Sequence, residues 1–195
     1  MYLMNELPSE LLKQRHGFSI DPAWADHLRL SSVRFNSGGS GSFISSNGLV
    51  LTNHHVASDT LQKVSTAERD LIRDGFLAKT FAEELPAPDL ELNQLVSMED
   101  VTAKVNAGVD VSASAEAAFK QRRATISKIE QASKEATGLR SDVVALFGGA
   151  KYHLYCYRKF TDVRVVWAPE TSAAFFGGDA DNFEYPRFNL DATIM

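Results

Sequence analysis

The sequence predicts a mainly β fold with helical insertions, and three observations predict it. Between Ser32 and Asn53, short apolar runs alternate with glycines, serines and an Asn-Gly turn signal. Two further strand-like runs, Tyr152 to Phe160 and Asp162 to Trp167, stand near the other end. Between these groups lies one stretch, Ser112 to Ala136, rich in Ala, Glu, Lys, Arg and Gln with loosely helical spacing of its apolar residues.

Each element has a local reason. Glu6 to Arg15 and Pro22 to Leu30 have helical spacing. The second opens with Asp21 as N-cap and Pro22 at the first helical position, where a missing N–H costs nothing. The runs Val33-Arg34-Phe35, Ser42-Phe43-Ile44 and Leu49-Val50-Leu51 read as strands, the last two joined as a hairpin across Ser46-Asn47-Gly48. Leu90 to Ser97 is a further strand. Ala118, Ile126 and Ile129 supply the apolar stripe of the long helix, which Gly138 ends; its mixed charges read as a solvated face. The linear organisation is then 1–30 N-terminal helices, 31–98 first hairpins, 99–140 helical insertion and 141–195 strands and a loop.

Composition narrows the function classes. The chain has 195 residues, 44% of them hydrophobic, enough for one packed domain or a large and a small lobe. Its 20 basic and 25 acidic residues leave a net charge of -5, which argues against a nucleic-acid partner, because phosphate neutralisation needs a basic face. No apolar run reaches a membrane span, and the first residues do not read as a signal peptide. Cys156, the only cysteine, cannot form an internal disulfide, and its aromatic neighbours mark it as a packed thiol rather than a nucleophile.

Two stretches carry chemistry. Leu51-Thr52-Asn53-His54-His55-Val56-Ala57 puts two histidines where an apolar strand ends, the placement of a general base facing a cleft; a short helix is expected to follow, with Ser58 or Asp59 as a capping-type residue. Adjacent histidines make a poor metal pair, and His16, His27 and His153 are scattered, so no metal and no cofactor is expected. Gly39-Ser40-Gly41-Ser42 looks like a glycine-cradled serine, but the hairpin puts Ser40 and Ser42 on the preceding strand, where turn and backbone roles suit them better. The second stretch, Phe175 to Asp191, crowds four acids, two glycines and several aromatics into a loop-like region that lacks the pattern of a twelve-residue calcium loop. Local chemistry does not decide which of its aspartates would serve a histidine.

Taken together, these stretches carry a resemblance. Gly39 to His55, then Asp74-Gly75-Phe76-Leu77-Ala78-Lys79 with Glu83-Glu84-Leu85-Pro86, then Phe176 to Arg187, are similar in order to the signatures of the S46 serine peptidases, the bacterial dipeptidyl-peptidases 7 and 11 and their relatives. The resemblance implies the first barrel of a chymotrypsin-like double β-barrel, the trypsin-like serine protease fold, here incomplete. It also implies a serine-type dipeptidyl aminopeptidase that releases dipeptides from polypeptide N-termini. By position the catalytic residues are His55 as base and Asp191 as orienting acid, while Asn182 and Phe183 hold the substrate's free α-amino group. The family's nucleophilic serine lies in the second barrel, beyond Met195, so these 195 residues are expected to be inactive alone. Peptides with a free N-terminus are the implied partners. The implied location is periplasmic or secreted, and the resemblance allows a homodimer of the full-length protein. Two other readings compete: half of a trypsin-like endopeptidase that cuts mid-chain, against which Asn182 and Phe183 argue, and a non-catalytic truncated binding protein.

Overall fold

The structure, a computed structural model, describes residues 2–175 and 188–195. In chain order its elements begin with α1 (Ser9–His16), α2 (Pro22–Ser31), β1 (Ser32–Phe35), β2 (Ser40–Phe43), β3 (Val50–Thr52), α3 (His54–Val64), α4 (Leu71–Asp74), β4 (Phe76–Leu77), β5 (Leu85–Pro86) and β6 (Leu92–Asp100). There follow α5 (Thr102–Ala107), α6 (Ala115–Thr137), β7 (Arg140–Leu146), β8 (Lys151–Phe160), β9 (Arg164–Val165), β10 (Trp167–Ala168), α7 (Thr171–Ala174) and β11 (Thr193–Ile194). The fold is mainly β with helices. Among the described residues no helix is long and apolar enough to cross a membrane.

The chain divides into two compact units: Met1–Leu30 with Gln94–Lys159, and Ser31–Asn93 with Phe160–Met195. The four linear segments read from the sequence are thereby regrouped. The N-terminal helices share a unit with the helical insertion, and so do β7 and nearly all of β8. Within that unit β7 and β8 form an antiparallel ladder from Arg140↔Tyr157 to Leu146↔Lys151.

In the unit containing His55 the strands run β4-β10-β11-β3-β2-β1, with antiparallel registers, and β5 pairs separately with β9. The β1–β2 connection turns through Gly38 and Gly39 at φ of 99° and 89°, a region that L side chains avoid. At Gly39 the backbone also passes so close to α3 that an added Cβ would sit 2.6 Å from Val56 Cγ2. The expected Asn-Gly turn is present: Gly48 has φ of 93°, and Ile44 N–H donates to Leu49 carbonyl oxygen at 2.8 Å. The core gathers Phe35, Val50, Leu61, Leu71 and Val165, each essentially without solvent contact. Each large side chain so buried contributes about 1.5–3 kcal/mol.

The other unit is organised by α6. Ser114 caps it by accepting the Ala117 N–H, and Gly138, left-handed at φ of 69°, ends it with its N–H on Lys134 carbonyl oxygen. Ile126 and Ile129 pack against Val101, Val105, Tyr152, Leu154 and Cys156, while no α6 residue is fully buried. Cys156 is buried, with Ser133 Oγ at 3.4 Å from its sulfur.

Three local readings are corrected. The first helix starts at Ser9, not Glu6, because Pro8 disfavours helical backbone at Leu7 before it. The helix after β3 is not short: it runs to Val64, with both histidines in its first turn and Ser58 and Asp59 inside it. Strand β7 was not anticipated, since Arg140–Leu146 has no strict alternation, and Asp162 to Trp167 is broken into β9 and β10.

Candidate active site

The geometry around the histidine pair follows from the sheet. Strand β11 pairs antiparallel with β3 in the register Thr193↔Thr52 and Ile194↔Leu51. Continuing that register by two residues brings Asp191 beside His54, flanked by Asn53 and His55. A residue far along the chain is thus delivered to the point where β3 becomes α3.

Helix phase then separates the two imidazoles. The buried stripe of α3 is His54, Ala57, Thr60 and Leu61, so His54 faces the core and His55, a third of a turn away, faces out. The His55 side chain is 71% exposed. Burial, the largest influence on His54, pushes its pKa below the ordinary 6.5, against the raising effects of Asp191 and a hydrogen bond to the Pro169 backbone. Its Nε2 is buried without a hydrogen-bond partner among the described residues. A neutral ring with Nδ1–H directed to the Pro169 carbonyl fits both observations. Of the two rings, only that of His55 is turned toward solvent.

Asp191 holds His55 at two points. Its Oδ2 lies 2.7 Å from His55 Nδ1, and its Oδ1 accepts the His55 backbone N–H at 3.0 Å. Asn53 Nδ2 donates to Asp191 Oδ2 and to its carbonyl oxygen, both at 3.1 Å. Asn53 makes no side-chain cap for α3, and Asp191 supplies that acceptor from the other end of the unit, where the helix dipole also favours a negative charge. Burial pushes the Asp191 carboxyl up, but the hydrogen bonds from His55 and Asn53, with the charge of His55, outweigh it and hold the carboxyl below its usual range. An ionised Asp191 can only accept, so His55 Nδ1 carries a proton toward it, and whenever the ring is neutral its Nε2 is the atom with the lone pair.

Clefts open on two sides of this imidazole. One of about 1040 Å³ is lined by His54, His55, Ser58, Thr171, Asn189 and Asp191 among others. Thr171 Oγ1 and Asn189 Nδ2 there, like His54 Nε2, are buried without hydrogen-bond partners among the described residues. A second, of about 270 Å³, runs past Gly38, Gly39, Lys63 and Asp89. A chain laid across His55 therefore has room on both sides.

His55 and Asp191 are thus brought together, whereas Asn182 and Phe183 lie outside the described residues. Among the described residues no serine hydroxyl is hydrogen-bonded to the His55 ring. Ser42 Oγ donates to Phe43 carbonyl oxygen at 3.4 Å, and Ser58 Oγ to the His55 carbonyl oxygen at 2.9 Å. Asn53, Thr171 and Asn189 were missed by sequence reasoning. Asn53 adjoins the histidines, but nothing local shows that its amide is spent on Asp191 rather than on capping.

The Peptidase S46 family model matches residues 1–195. Dipeptidyl-peptidase 7 of Porphyromonas endodontalis is 32% identical over 202 residues, covering 100% of this chain and 25% of that protein. An Asp/Glu-specific dipeptidyl-peptidase of Flavobacterium psychrophilum is 35% identical over 168 residues, covering 86% of this chain and 24% of its own length. The crystal structure of Porphyromonas endodontalis DPP11 with the dipeptide Arg-Asp superposes with a TM-score of 0.83 at 30% identity, over 100% of this chain and 30% of that one. The chain spans about a quarter of the length of the curated relatives it matches.

Proposed function

This chain belongs to the Peptidase S46 family, and from that premise we propose that His55 and Asp191 are the base and orienting acid of a serine-peptidase triad that releases dipeptides from polypeptide N-termini. One observation carries this reading: an exposed imidazole held through Nδ1 at 2.7 Å by a carboxylate that is 20% exposed, with a cleft on either side. The relatives' names and the dipeptide bound to DPP11 support the substrate class.

In this mechanism Asp191 keeps the Nδ1–H tautomer and stabilises the imidazolium that forms when Nε2 takes a proton from the nucleophile. The double grip on ring and backbone matters because a base that swings loses the alignment on which proton transfer depends. The nucleophilic serine and its oxyanion donors come from a part of the protein outside these residues. The unit bearing His55 is then the first barrel of a chymotrypsin-like double β-barrel. Asn182 and Phe183 hold the substrate's α-ammonium, rewarding a free N-terminus over a mid-chain amide. No cofactor takes part. The same reading carries a periplasmic or secreted location and a homodimer of the full-length protein.

The test is an assay of the full-length protein on matched fluorogenic peptides with free and N-acetylated ends. Cleavage of the free form alone, abolished by His55→Ala, is expected. Equal cleavage of both forms would turn the assignment into that of an endopeptidase.

A further inference from the structure

A second histidine sits among carboxylates far along the chain from His55, in the unit organised by α6. His153 lies on β8, paired with Val144 of β7, and is completely buried. Among the described residues neither of its ring nitrogens has a hydrogen-bond partner. That is unusual, because a buried polar group without a partner loses its hydration and receives nothing in return.

The Nε2 edge faces Asp100, whose Oδ2 is 3.8 Å away. Asp100 ends β6, and its Oδ1 accepts the Thr102 N–H at 2.9 Å, which leaves Oδ2 directed at the histidine. Glu6, from the segment preceding α1, completes the group: one donor atom from each of Glu6, Asp100 and His153 lies within 4.8 Å of the other two. Two donors at about 2.1 Å from a tetrahedral ion stand roughly 3.4 Å apart. The exposed carboxylates need only a small rotation to close on that geometry, while the buried imidazole stays fixed. The position already draws positive charge, since Lys151 Nζ donates to Glu6 Oε1 at 2.6 Å.

We propose that Glu6, Asp100 and His153 form a binding site for a divalent transition-metal ion of the Zn²⁺ type, which clips the segment before α1 onto β6 and β8. One imidazole nitrogen with two carboxylates suits Zn²⁺ or Co²⁺, whereas Mg²⁺ and Ca²⁺ demand oxygen-only cages with more donors. The ion displaces the Lys151 ammonium from Glu6 and gives the His153 nitrogen the partner it lacks. Its role is structural: no cleft of the His55 site adjoins it in sequence, and three protein donors from three separate elements make a staple.

The experiment is calorimetric titration of the chelator-stripped full-length protein with Zn²⁺, repeated with Co²⁺ and Mg²⁺, alongside melting curves. The expected result is one saturable Zn²⁺ site per chain that raises the melting temperature and gives Co²⁺ a visible d–d band. Glu6→Gln and Asp100→Asn, both exposed and compatible with folding, should each weaken binding by at least about 10-fold, and Lys151→Met should tighten it. No saturable Zn²⁺ binding would overturn the proposal. So would unchanged affinity in both carboxamide variants, which would place the ion on other histidines, or Mg²⁺ binding as tight as Zn²⁺.

Discussion

Two imidazoles in this protein stand beside carboxylates with opposite burial. His55 is 71% exposed and its partner Asp191 20%, whereas His153 is 0% exposed and its partner Asp100 49%. The contacts differ to match: 2.7 Å with a shared hydrogen in the first pair, 3.8 Å and no hydrogen bond in the second. A base must offer its free nitrogen to a substrate while the acid behind it is shielded and fixed. A metal staple needs the reverse, an immobile nitrogen donor with carboxylates that reach in from solvent. The opposite burial of the two pairs is thus what the two proposed roles, turnover at His55 and holding at His153, each require.

The sharpest way to break this contrast is His55→Ala in the full-length protein. It should lower kcat/KM for dipeptide release by roughly 10⁴-fold or more, with stability within about 0.5 kcal/mol, as for other exposed positions. A large stability loss measured by denaturant titration would make His55 a structural residue like His153. Next in size, Phe35→Ala in the core of the unit containing His55 should cost about 3–5 kcal/mol, while Ile126→Ala, half-buried on the packed face of α6, should cost less than about 2 kcal/mol. Comparable losses would mean that the α6 unit is as tightly packed as the other.

Gly39→Ala is a finer probe. It demands a left-handed backbone of a residue that resists it and drives a methyl into Val56, beside His55. A loss of about 1–3 kcal/mol is expected, with kcat falling more than KM changes as the base shifts. Ser114→Ala, which removes the α6 cap, should cost about 1 kcal/mol in thermal melts and leave peptide cleavage unchanged.

The smallest effect is a gradual pH dependence. The buried His54 ring resists protonation when folded, so the unfolded chain takes up a proton from about pH 6.5 downward and stability declines below that value. The Asp191 carboxyl, held low by its hydrogen bonds, contributes fully above its ordinary 3.8, and that contribution is lost as pH falls through the depressed folded value. Asp191→Asn should flatten only the lower part of a melting-temperature profile.

Much of this was legible locally. The Asn47–Gly48 hairpin, the Gly138 stop and the Asp21 cap, whose Oδ1 accepts the Ala23 N–H at 2.9 Å, depend on residues within a few positions of one another. The choice of His55 over His54 came from resemblance, and the helix phase that turns one ring inward and the other outward is visible only in the fold. The hairpin of β7 and β8 was not legible because Arg140–Leu146 shows no strict alternation.

By itself, then, the sequence determined the short-range features: turns, caps, the apolar stripe of α6, and the family motifs that name His55 and Asp191 together. Only the tertiary structure decided which charges meet. Asp191 reaches His55 through the β3–β11 register, and Glu6 and Asp100 come near His153 from distant parts of the chain. Backbone preferences act over a few residues, whereas a site's chemistry depends on distances of a few ångströms between residues that only strand pairing and burial bring together.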